Sequence, residues 1–167
     1  MMTGLNDYAC EGTLTIGGVS MNRLAWACLG DESGRGGLIT MLTGVEQRGE
    51  DRIIPSVTGV IAYPRRLTKV SHELRILVVG DVDLNGSNTA DPLVGLVANL
   101  DYLYTNVVAP VVSTTGTRAA TVDWPGLATR SADIHVLALT STKYVLVDQR
   151  PAWEGMLRIS IPAGRFV

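Results

Sequence analysis

The chain has 167 residues, 46% of them hydrophobic and 18% charged, with a formal net charge of −2. That length suits one domain, 1–167, burying roughly two thirds of its unfolded surface. The charge excludes an overall basic field for nucleic acid, and no apolar run reaches the roughly 18 residues that a membrane span needs, so no membrane insertion is expected.

At the N-terminus, MMTGLNDYAC has neither a basic start nor an apolar segment, and no signal peptide is expected. Cys10 and Cys28 are too few for a disulfide framework and read as reduced, partly buried thiols. Residues 12–22 predict a short hairpin, with Leu14 and Ile16 alternating with threonines and Gly17-Gly18 as the turn. Residues 23–29 read as a strand or edge segment, 30–37 as a polar, glycine-rich loop, and 38–44 as either a strand or a helical turn. A polar arm around 43–56 mixes both charge signs, and 57–70 brings a strand up to Pro64 before the Arg65-Arg66 pair.

The centre of the chain is His72–Val108. In HELRILVVG, Leu74, Ile76 and Val78 face one way and Glu73 and Arg75 the other, until Leu77 and Val79 make both faces apolar. A turn-rich stretch follows, then a helix over about 92–108. Asp91 stands at the N-cap and Pro92 at the first helical position, where its missing N–H costs nothing. Leu93, Leu96, Val97, Leu100, Leu103, Tyr104 and Val107 recur at three- and four-residue steps, predicting one buried stripe. Gly95 and Asn99, four apart, leave room for another backbone or mark a tolerated surface glycine. Beyond a loop at 111–118, strands are expected at 118–124 and 156–164. The run 132–151 is either two strands turning at Ser141-Thr142 or one long strand. The fold class is therefore α+β, mostly β: an antiparallel sandwich or partly open barrel with one flanking helix.

Few residues suggest chemistry. Asp81, Asp83 and Asn85, followed by Gly86, match the start of a calcium loop, in which alternate oxygen ligands surround the ion. The bidentate Glu of that pattern is missing: its position is Pro92, with Asp91 one place early, and a strand precedes the loop instead of a helix. The alternative is a turn whose side chains bond their own backbone. His72 and His135 have no partner at metal-ligand spacing. No G-x-S-x-G elbow or phosphate-binding glycine motif occurs. No cofactor and no enzymatic activity are expected. Arg65, Arg66 and Lys69 form the densest positive group. Weak DNA contact, protection of a strand edge and subunit contact are its three readings, and subunit contact is favoured.

A resemblance supplies what these residues do not. Pro55, Gly59, Tyr63, Arg65 and Arg66 lead into a strand ending at Gly80-Asp81 with Asp83 beyond. Asp91, Pro92, Gly95, Leu96, Asn99 and Leu100 then open the helix. This order, over residues 45–165, resembles structural tail proteins of long-tailed actinobacteriophages, the superfamily of tail tube and distal tail proteins. The resemblance implies a β-sandwich with one flanking helix, assembled into hexameric rings, stacked or single, around a channel that conducts DNA. Its partners would be further copies of itself and other tail proteins, such as the tape measure and the baseplate or terminator proteins. Its location would be the virion, after synthesis in the bacterial cytoplasm. Distal tail proteins usually carry a second domain. The chain ends at Val167, straight after its last strand, which tilts the expectation towards the tube or a reduced adaptor.

Within that picture the polar arm, with Glu46, Arg48, Glu50, Asp51 and Arg52, suits electrostatic register-setting between subunits, as do Arg65 and Arg66. A terminator or neck ring of the same particle is the near alternative. The distant one is a carbohydrate- or metal-binding β-sandwich module using the 81–85 loop and exposed Trp26, Trp124 or Trp153.

Overall fold

A computed structural model describes residues 12–29, 41–42, 47–48, 52–53, 60–61, 66–67, 70–109, 116–147 and 150–167. The chain opens with β1 (Thr13–Ile16), β2 (Val19–Ser20) and β3 (Trp26–Cys28). The expected hairpin joins the first two, and Gly17 and Gly18 take φ of 57° and 82°, a double left-handed turn that suits glycine. Next come four two-residue strands: β4 (Gln47–Arg48), β5 (Arg52–Ile53), β6 (Val60–Ile61) and β7 (Arg66–Leu67). They pair antiparallel as β4 with β7 and β5 with β6.

The remaining strands are β8 (Val70–Val79), β9 (Arg118–Asp123), β10 (Arg130–Val147) and β11 (Arg150–Ile161). Seven strands in the order β2-β1-β9-β10-β11-β8-β3 make one antiparallel sheet, curled into a half-barrel. The segment after β2 turns back along β3: Asn22 bridges Ala27, and the Cys28 N–H donates to the Met21 carbonyl at 3.1 Å.

Alternation in β8 puts Leu74, Ile76 and Val78 into the concave core, with Leu14, Ile16, Trp26, Ile134, Leu157, Ile159 and Ile161. Glu73 and Arg75 lie outward, while Leu77 and Val79 join Ala27, Val82 and Ala152 in a small apolar cluster of their own. The C-terminus closes the sheet. Gly164 turns the chain, Phe166 enters the core, and Val167 and Ser131 exchange backbone hydrogen bonds of 2.7 and 3.0 Å.

Across this sheet lies α1 (Pro92–Leu103), continued by a π-helical turn at Tyr104–Val108. The Asp91 carboxylate accepts from the N–H groups of Leu93 and Val94, as its N-cap position predicts. The buried face differs from the expected stripe. It consists of Gly95, Leu96, Asn99 and Leu103, with Val107 beyond, whereas Leu93, Val97 and Tyr104 are exposed.

The cause is a backbone contact. A Cβ on Gly95 would overlap the Gly80 carbonyl oxygen, and a Cβ on Gly80 would overlap that of Pro92. The space beside Gly95 is thus filled by this chain's own backbone. Asn99 then reaches the carbonyls of Val79 and Val82 at 2.8 and 2.9 Å. Satisfying those two buried acceptors sets the helix rotation, and Leu93, Val97 and Tyr104 turn outward.

Two boundaries also move. Residues 132–147 lie in one long strand, β10, in which Ser141-Thr142 is an irregularity and no turn, while Arg150 and Pro151 already belong to β11. β11 begins six residues earlier than its alternating run suggests, because Arg150–Gly155 pair with Val147–Ser141.

Candidate assembly surface

β10 outruns its neighbour. β9 pairs only with Arg130–Ile134, while β11 pairs along the other side from His135 to Val147. Among the described residues no strand covers β10 beyond Ile134 on the β9 side. Leu137 and the whole run Thr140–Tyr144 are exposed, and Leu146 is 68% exposed. Extra residues at Leu137 and Thr142 interrupt the β11 register, leaving Ala138–Ser141 and Lys143–Val147 regular. Below this open edge, Trp153 packs against the core, and a Cβ on Gly155 would overlap its indole.

The outer face of α1 is a second apolar surface. Leu93, Val94 and Val97 are 57%, 67% and 58% exposed, and Tyr104 is exposed about two turns further on. Single exposed apolar side chains are ordinary, but adjoining ones on a regular element mark contact surfaces.

The convex face of the sheet is held by ion pairs that depend on strand register. Arg158 and Glu73, directly opposed, meet at 2.5 Å. Glu154 accepts from Arg75 at 2.6 Å, with Lys143 at 3.3 Å on its other oxygen. Burial of Glu154 opposes its ionisation, but the hydrogen bonds and positive charge of Arg75 and Lys143 outweigh this and hold its carboxyl below the usual value. Sequence patterning had no signal for this group, because its members lie on three strands and meet only once the register exists.

The 81–91 loop is closed by its own bonds. The Asp83 carboxylate accepts from the N–H groups of Asn85 and Ser87, both at 2.8 Å. Asp81 pairs with Arg150 at 2.7 Å, and its carbonyl accepts from the Thr89 N–H. The Asp83 bonds make a turn of the Asx type. Among the described residues no group of three or more His, Cys, Asp or Glu is placed to hold a metal.

The tryptophans are placed differently from the expected exposed platform. Trp26 is fully buried, stacked on Tyr102 at 5.8 Å between ring centroids, while Trp124 and Trp153 pack against the core. The core needs aromatic volume that one Phe cannot supply. His135 lies on the outer face with Nδ1 3.2 Å from the Gly116 carbonyl, beside an open groove of about 740 Å³ that Asp133, Arg165 and Val167 also line. His72 is buried in β8, and Cys28 is buried in β3.

Of the expected contact residues, Glu46, Glu50, Asp51 and Arg65 lie outside the described residues. So do Pro55, Gly59, Tyr63 and Cys10. Arg48 lies in β4, Arg52 in β5 and Arg66 in β7. No helix among the described residues is long and apolar enough to cross a membrane. Comparison with known proteins finds no matching family model and no matching curated sequence.

Proposed function

We propose that this protein is a non-enzymatic structural subunit of a phage tail, which self-assembles into rings that conduct DNA. The observation that carries self-association is the pair of uncovered surfaces: the β10 edge with Leu137, Tyr144 and Leu146, and the helix face with Leu93, Val94 and Val97. Such surfaces gain when a neighbouring subunit covers them. The tail assignment rests on the motif order from Pro55 to Leu100. A mostly β half-barrel with one helix packed across it agrees with the fold that this resemblance implies. The hexameric count, the virion location, the tape measure, baseplate and terminator partners, and the contact roles of Glu46, Arg48, Glu50, Asp51, Arg52, Arg65 and Arg66 belong to this proposal.

Mass photometry and negative-stain microscopy of the purified protein across a concentration series test it. Rings or open-ended tubes with a central pore are the expected result. Indefinite stacking selects a tube subunit, and single rings select a distal tail adaptor or terminator. A monomer at every concentration overturns self-assembly.

A further inference from the structure

We infer that the outer edge of β10, from Leu137 to Leu146, takes up an extended strand of a second copy of this chain, so that the sheet continues from one subunit into the next. This rests on the self-assembly reading above and names the surface through which it works.

A strand edge carries a row of main-chain donors and acceptors, and an added strand satisfies them regardless of sequence. Proteins that keep an edge single make it short, insert proline, line it with charge or bend it with bulges. Beyond Ile134 β10 has two such bends, but the stretch from Leu137 to Val147 is long, with no proline and one charged residue, Lys143. That ammonium is already turned onto Glu154 of the adjacent strand. Two copies of the stretch therefore bring only one cation each to the contact, already drawn towards a carboxylate, whereas a strongly charged partner strand would find no matching row of charge there.

The exposed Leu137, Tyr144 and Leu146 supply apolar area for cross-strand contact. The two irregularities add selectivity. An incoming strand has to follow the bends at Leu137 and Thr142, or pair only with Ala138–Ser141 and Lys143–Val147. Elsewhere the sheet offers less: β2 has two residues, and β3 is backed by residues 21–23.

Hydrogen–deuterium exchange of the dilute and the assembled protein, read over peptides covering 136–147, tests this directly. Amides of this stretch that point away from β11 should exchange fast in the dilute protein and about a hundredfold or more slowly in the assembly, while those bonded to β11 are protected in both. The double variant Leu137→Lys, Leu146→Lys changes only exposed side chains. It should keep the wild-type circular dichroism and raise the concentration at which assembly begins by about tenfold or more. Assemblies in which 136–147 exchanges as fast as in the dilute protein overturn the inference and leave self-assembly standing. Protection already complete in the dilute protein overturns it too, by showing that the chain covers its own edge. Failure to assemble under any condition overturns both readings.

Discussion

Gly80 and Gly95 bring strand β8 and helix α1 into backbone contact, close enough that a side chain on either would overlap a carbonyl oxygen of the other element. The Thr89 hydroxyl donates to the same Gly80 carbonyl, tying the intervening loop to the crossing point. Gly95→Ala should therefore destabilise. The gain in helix propensity, about 1 kcal/mol, is outweighed by overpacking against backbone that has no room to move, leaving a net loss of about 2 kcal/mol. For a chain of this size the melting temperature should fall by roughly 4–8 °C. An unchanged or raised melting temperature would show that the crossing relaxes.

Asn99 is the second anchor of the same crossing. Replacing it with Leu keeps the volume but removes the amide that donates to the Val79 and Val82 carbonyls. A buried carbonyl left without a partner costs about 1–3 kcal/mol, so the pair should cost about 2–6 kcal/mol. Urea denaturation should show a lower midpoint at an unchanged slope. A midpoint equal to wild type would mean that water replaces the amide without loss.

Glu154 gives the convex face a pH dependence. Its folded carboxyl is held below the ordinary value by Arg75 and Lys143, against the opposing effect of burial. A depressed folded value contributes stability that is fully present above the unfolded carboxylate pKa, about 4.3, and is lost as pH falls through the folded value. Glu154→Gln should cost about 1–2 kcal/mol near neutral pH, because Arg75 and Lys143 are half exposed and rehydrate when released. The stability curves of variant and wild type should converge in acid. Parallel curves down to low pH would assign the group no role in acid sensitivity.

The loop from Asp81 to Asp91 should be indifferent to calcium. A site filled at about one hundred times its dissociation constant would add about 2.7 kcal/mol, visible as a clear rise in melting temperature. With Asp83 capping its own turn and Asp81 paired to Arg150, millimolar calcium or chelator should leave the melting curve in place. A calcium-dependent rise would assign the loop to the ion.

The helix and the strand before it were legible in the sequence because their signals are local. Asp91 and Pro92 mark the helix start through short-range bonding and fixed φ, and the period-two pattern of β8 reports its two faces directly. The rotation of the helix was not legible. Hydrophobicity alone places Leu93, Val97 and Tyr104 inside, yet backbone contact at two glycines and two carbonyls awaiting an amide decide the buried face. The surface proposed for assembly was hidden for a similar reason. Whether a strand has an open edge depends on where its neighbour stops, and the end of β9 opposite Ile134 is a matter of pairing between segments.

By itself, then, the sequence determined a mostly β domain with one capped helix, since alternation, turn glycines and caps act within a few residues of one another. The tertiary structure alone decided the strand order, the one-piece β10, the ion group around Glu154 and the outward apolar face of α1. Each of these depends on register or close approach between segments distant in the chain, where the energy lies in satisfying particular donors, acceptors and volumes instead of in average hydrophobicity.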